Sequence, residues 1–495
     1  MESALKEHQL RCYRRVYEGR KTVEVSGETV VPDTLPDIGV IGEITMHPLV
    51  RSKRAALGQA AMEGELEAAV SYLPEEEDGF CVLHLTLPWL GEFTGETLGE
   101  TAAVMGGVQV RMMEARLLNP RKLLVKAQLD VEISAYEPGE LNFWSEGEHD
   151  GAVQIRRETL SCGLIGTVCE RSFAVTDTYP LSGSLQNGEL LHSRVSFRVE
   201  EVKTIANKLI VKGNAFTDAV LADSRGETET VHFATAFSFI AETDCEQVTP
   251  EVLCQLFATG VYYEVSADGL NLEMEVHGVC QMAVYVPQTL NLVTDAYSNL
   301  FACEAKRTEL EVLTDHRSGP RRETLTAALT GDEGLQTLEL FTVSPLAVQK
   351  TGDGAQVPLQ LSACVRTESG ERAWLHQVIY WQLALEEGEW VNSLQILDAG
   401  GNLSGNAVSL RLTVEAELCR ETWETCGAVS DIALDETRPT GRDRPSLTVL
   451  RTGGTLWDLA KDNGSSVELI RRLNSLDETE IGPDTLLLIP KQAKR

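Results

Sequence analysis

The sequence lacks any run of the roughly 18 to 20 consecutive apolar residues that would cross a bilayer as a helix. Its opening, MESALKEHQLRCYRRVYEGR, also lacks the apolar core and small-residue cleavage site of an export leader. Synthesis and residence in a cytoplasm are therefore expected. Basic residues are scarce: 43 Lys and Arg stand against 75 Asp and Glu, and the net charge of −32 excludes generic attraction to nucleic-acid phosphates or anionic lipid. The 11 cysteines are odd in number and scattered, without the spacing of a disulfide-stapled module, so reduced and mostly buried thiols are expected. Only 24% of residues are charged and 43% are apolar, which excludes long disorder and leaves a folded, acidic protein.

Motifs that carry chemistry are missing as well. There is no G-x-x-x-x-G-K-[ST] loop, no G-x-G-x-x-G after a strand, no H-E-x-x-H and no G-x-S-x-G. The expectation is a protein that is not an enzyme and has no cofactor and no metal. Cys162 and Cys169, like Cys419 and Cys426, have no C-x-x-C or clustered His beside them. His277 and Cys280 would point to opposite faces of a strand.

The chain does contain a long-range repeat. At 495 residues it is several domains long. Polar turns at Glu77-Asp78-Gly79-Phe80, Ser224-Arg225-Gly226-Glu227 and Glu368-Ser369-Gly370-Glu371 place their glycines 147 and 144 residues apart. Each is followed by an extended apolar run carrying His84, His232 or His376, expected at matching outward positions. A second set of turns follows at Asn119-Pro120-Arg121-Lys122, Asp268-Gly269 and Ser404-Gly405-Asn406. After the first, Leu123, Val125, Ala127, Leu129, Val131 and Ile133 alternate with polar positions, as one face of a strand on a core would. A weaker echo pairs Val175-Thr176-Asp177-Thr178-Tyr179 with Val293-Thr294-Asp295-Ala296-Tyr297. Within this region helices are expected only over the N-terminal segment, from Leu5, Cys12 and Val16, and after Thr249-Pro250-Glu251.

The last fifty residues differ in kind. LDETRPTGRDRPS over 434–446 reads as an exposed linker. Residues 447–495 carry seven basic and seven acidic side chains, so the excess negative charge lies before them. Their pattern predicts strand (Leu447–Leu450), turn (Gly453-Gly454), a helix capped by Thr455 and ended by Gly464, a second helix capped by Ser466, and a closing strand (Leu486–Ile489). Trp457, Leu459, Ala460, Val467, Leu469, Ile470 and Leu473 are its expected core.

The string LTVLRTGGTLWDLA from Leu447, with Asn463-Gly464, Val467 to Ile470, Leu473-Asn474, Ile481-Gly482-Pro483 and Leu486 to Pro490, resembles a LysM domain almost end to end. The resemblance implies a shallow groove for N-acetylglucosamine-type glycan or a protein partner, with Gly453, Gly454, Thr455 and Leu456 on one side and Asn474, Ser475, Leu476, Ile481 and Gly482 on the other. The three modules before it, with Val31-Pro32-Asp33-Thr34-Leu35-Pro36-Asp37-Ile38 and the Asn119-Pro120-Arg121-Lys122 turn, resemble the SPOCS (DUF3794) modules of SipL-type spore-coat morphogenetic proteins. That resemblance implies a non-enzymatic scaffold in the mother-cell cytoplasm, at the forespore surface and spore coat, whose partners are the coat-base morphogenetic ATPase and other coat proteins. The alternative is a peptidoglycan-binding protein anchored through its LysM domain. The expected fold is mainly β: an N-terminal helix (1–22), three sandwich-like SPOCS modules (23–150, 151–298, 299–433), a linker (434–446) and a small βααβ LysM domain (447–491).

Overall fold

The computed structural model describes residues 5–76, 78–147, 153–182, 185, 188–223, 225–243, 245, 250–352, 354–439, 446–476 and 480–490. The protein is mainly β, with a small α+β unit at its C-terminal end.

One strand plan occurs three times. In the first module it comprises β1 (Leu5–Val30), β2 (Ile38–Ala56), β3 (Gln59–Pro74), β4 (Cys81–Thr94), β5 (Ala103–Asn119) and β6 (Lys122–Glu146). The second has β7 (Val153–Pro180), β8 (Glu189–Ile205), β9 (Lys208–Ala222), β10 (Thr228–Glu242), β11 (Glu251–Val265) and β12 (Asn271–Ser298). The third has β13 (Phe301–Thr330), β14 (Leu335–Pro345), a short β15 (Gln349–Thr351), β16 (Gly354–Thr367), β17 (Arg372–Ala384), β18 (Glu389–Ser404) and β19 (Ala407–Pro439). In each, the first strand pairs antiparallel with the last, the penultimate strand hairpins onto the last, and the middle strands form a separate meander. Alternate side chains of the last strand pack on that meander: Ala127, Leu129 and Val131 meet Met62, Leu66, Trp89 and Phe93 in one two-layered core.

The modules are not beads. Tyr13 pairs with Ile165 and Gly163 with Leu313, so their long strands join in one sheet. The three equivalent turns converge: Arg372 forms an ion pair with Asp78, donates to the Gly226 carbonyl (3.1 Å) and binds Glu339 (2.6 Å). Gly79, Gly226 and Gly370 all have positive φ there (135°, 81°, 86°), a conformation costly to other residues. Glu77 and Ser224, expected in these turns, lie outside the described residues.

A second meeting point is buried. Tyr136, Tyr285 and Glu421 occupy the same place, fourteen residues into β6, β12 and β19. Glu421, 8% exposed, accepts from the Tyr285 hydroxyl (2.5 Å) and the Trp423 indole (3.1 Å), and pairs with Arg15 (3.1 Å).

Several local expectations are corrected. The N-terminal segment is strand, not helix: from Leu5↔Glu146 to Val30↔Lys122 it is satisfied by β6, and Cys12 is buried beside Leu141 and Phe143. The helix expected from Thr249 is strand β11, paired from Glu251↔Tyr285 to Val265↔Leu272; Thr249 itself lies outside the described residues. Cross-strand partners override local helical preference in both. β19 runs through Leu434 to Pro439, so the first half of the expected linker is strand, and 440–445 lie outside the described residues. The Val175 and Val293 echo falls on β7 and β12, which occupy different places in the plan, and is not part of the repeat.

Candidate functional site

The C-terminal unit is built from β20 (Leu447–Thr455), α1 (Leu456–Asn463), α2 (Val467–Asn474) and β21 (Glu480–Pro490). Its helices are set by their ends. The Thr455 hydroxyl accepts from the Asp458 amide (3.2 Å), and Gly464 takes the left-handed conformation (φ 62°) that returns amides to the last carbonyls. The Ser466 hydroxyl accepts from the Leu469 amide (3.3 Å). The core is Leu456, Ala460, Ile470, Ile481, Leu487 and Ile489, with Trp457, Leu459 and Val467 at its margin. Leu473, expected inside, is 46% exposed. Both strands exceed expectation, because Gly454 pairs with Ile481 after a bulge at Thr452; Gly453 and Gly454 are therefore strand rather than turn.

That pairing brings two of the expected groove segments side by side. Gly453, Gly454, Ser475 and Gly482 are exposed, Leu476 is half-buried, and backbone dominates the surface they offer. Ser475 ends α2 with φ 53°. The other expected residues serve the fold. Leu456 and Ile481 are in the core, Thr455 is a cap, and the Asn474 side chain donates to the Leu488 carbonyl (2.6 Å) and accepts from its amide (2.7 Å). An exposed backbone edge with apolar neighbours suits a ligand with amide and hydroxyl groups around a ring. Leu447, Val449 and Leu486, 48%, 54% and 61% exposed, add apolar surface on these strands.

This unit is docked on the body through residues that sequence reasoning missed. Asp295 of β12 accepts from the Trp457 indole (2.8 Å) and from Lys461 (2.9 and 2.6 Å), and Arg307 approaches at 3.1 Å. Burial alone would raise the Asp295 pKa; the Lys461 and Trp457 hydrogen bonds outweigh it and hold the carboxylate below its ordinary range. The Tyr297 hydroxyl donates to the Ser465 carbonyl (3.0 Å), and its ring meets Trp457 edge-on at 5.0 Å. A signal was present in the sequence: Trp457 and Lys461 are four apart, so a helix puts both donors on one face. The dock uses α1 and leaves Gly453, Gly454, Ser475 and Gly482 exposed.

In the body, His84, His232 and His376 do take matching outward places, opposite Ala69, Asp218 and Ser362. All eleven cysteines are free thiols, most of them buried. Among the described residues there is no group of three His, Cys, Asp or Glu placed to hold a metal ion, and no helix long and apolar enough to cross a membrane.

Residues 449–490 match the LysM domain family. The chain thus carries a LysM domain, a module of the glycan- and peptidoglycan-binding type, at its C-terminal end. No curated protein and no solved structure matches the chain.

Proposed function

We propose that the protein is a non-catalytic adaptor whose three-module β body presents one LysM groove to an N-acetylglucosamine-containing glycan of the peptidoglycan type. The observation that carries this reading is the LysM match over 449–490 together with a dock that occupies α1 and leaves Gly453, Gly454, Ser475 and Gly482 open. A groove of backbone donors beside apolar side chains gives orientation without a charged anchor. Sedimentation with purified peptidoglycan tests it. Gly482 has only Thr485 Oγ1, at 3.8 Å, near the position a side chain would take, so Gly482→Trp fills the groove without displacing the core. The wild-type chain should sediment and Gly482→Trp should not; equal sedimentation, or none by either, rejects glycan binding by this groove.

The finer reading is a scaffold of spore-coat assembly, with SPOCS modules and the coat-base ATPase as partner, working at the forespore surface. It is supported by the order and spacing of three like modules before one LysM domain, and by the joining of those modules into one sheet, which suits a scaffold acting through several contacts. Pull-down of that ATPase by the full chain and by a chain ending at Pro439 is the corresponding test. Recovery by the full chain alone supports the LysM domain as main adaptor; equal recovery rejects it.

A further inference from the structure

The meanders of the three modules carry equivalent cross-strand rows that differ in chemistry. In the first module the row is Thr45, Ala69 and His84; in the third it is Thr342, Ser362 and His376. In the second it is Arg194, Asp218 and His232. The fold is built twice with neutral residues at the first two positions, so the Arg–Asp pair of the second module is not something the architecture requires.

That row opens on a cavity of about 390 Å³ between the second and third modules, near the lower end of small-molecule sites. Arg194 forms an ion pair with Asp218, whose other oxygen lies 2.6 Å from His232 Nδ1. Across the cavity stand Thr342 of β14 and Gln395 of β18, each 5% exposed. Thr342 Oγ1, Gln395 Oε1 and Arg194 Nε are buried without a hydrogen-bond partner, while the Gln395 amide nitrogen is fixed on the Phe197 carbonyl (3.2 Å). Leaving such an atom unpaired is costly, and three of them belong to residues lining one cavity. Phe216, Phe233 and Phe341 supply flat apolar wall.

We propose that this cavity binds a small neutral saccharide, at a site separate from the LysM groove. Arg194 is paired with Asp218, and Asp398, His192 and His232 line the same space, so groups of both kinds face the cavity and a ligand of net charge is disfavoured. Planar donors and acceptors match neighbouring hydroxyls, and the phenylalanine rings match the C–H face of a pyranose. The volume suits one sugar unit rather than a chain.

The test is ligand-observed NMR on the full chain carrying Gly482→Trp, which closes the LysM groove, with N-acetylglucosamine and glucose as probes and glucosamine and glucuronic acid as charged comparators. A neutral sugar should bind, the charged comparators more weakly, and Thr342→Val should weaken binding about tenfold, the equivalent of one hydrogen bond. Because Thr342→Val keeps side-chain volume and removes an unpartnered hydroxyl, its melting temperature should be unchanged or raised, which separates lost binding from misfolding. No neutral-sugar binding in the Gly482→Trp chain, tighter binding of a charged comparator, or binding indifferent to Thr342→Val would overturn the proposal. Absence of peptidoglycan sedimentation by the wild-type chain, with this binding intact, would overturn the LysM reading alone.

Discussion

The β body and the LysM domain are specified at opposite ranges. In the body, β1 finds its partner across the whole module, from Leu5↔Glu146 to Val30↔Lys122. In the LysM domain, Thr455, Gly464 and Ser466 set both helices within a turn of themselves. The body thus depends on contacts no short window contains, and the tail on contacts a short window displays. What joins them is small: Asp295 receives two donors from α1, and Tyr297 donates to the Ser465 carbonyl and packs against Trp457.

Five perturbations would break or sharpen this contrast. The largest effect is expected from Glu421→Ala, which leaves Arg15 and the Tyr285 hydroxyl without their shared partner where the modules meet; it should cost the body about 4 kcal/mol in denaturant unfolding and leave the LysM helices intact by NMR. Ile470→Ala should do the reverse, removing about 3 kcal/mol from the tail. Calorimetry should then show an early tail transition with the body transition unmoved.

Acid should separate the two next. Burial and the neighbouring His192 hold His47 down to about 4, against 6.5 when unfolded, so below pH 6.5 the unfolded chain takes up the proton more readily. The contribution of His47 is complete above pH 6.5 and falls by about 2 to 3 kcal/mol as pH drops toward 4. All nine histidines precede residue 447, so the loss should appear in the body transition and not in the tail. His47→Gln should flatten that part of the profile.

Asp295→Ala removes the acceptor of Trp457 and Lys461 and should weaken docking by about 2 kcal/mol, read as a tail that tumbles and melts separately while both parts stay folded. The smallest effect belongs to Thr455→Ala, about 1 kcal/mol from one lost cap and confined to the tail.

The same contrast explains what the sequence disclosed. Alternation after Asn119 and the glycine turns are local marks of strands, and they gave the repeat; cap residues gave α1 and α2 nearly to the residue. The N-terminal segment is ambiguous in sequence because its sparse apolar stripe also fits a helix, and only β6, far along the chain, decides between them. In the LysM domain the motif marked the segments expected to line a groove, but periodicity could not tell that Leu456 and Ile481 turn inward while Gly453 and Gly482 stay out. The Arg194, Asp218 and His232 row was readable in principle: aligning the modules on their recurring histidine exposes the one charged pair among neutral neighbours.

The pairing of β1 with β6 also orders events in time. During synthesis the 26 residues of β1 emerge first, and their partner strand leaves the ribosome only when the module is nearly complete. Until then a long, unpaired edge is open to stray pairing, and the neighbouring modules offer strands of the same plan. A nascent chain of this design gains from a pause, or a chaperone, placed once per module rather than once per protein.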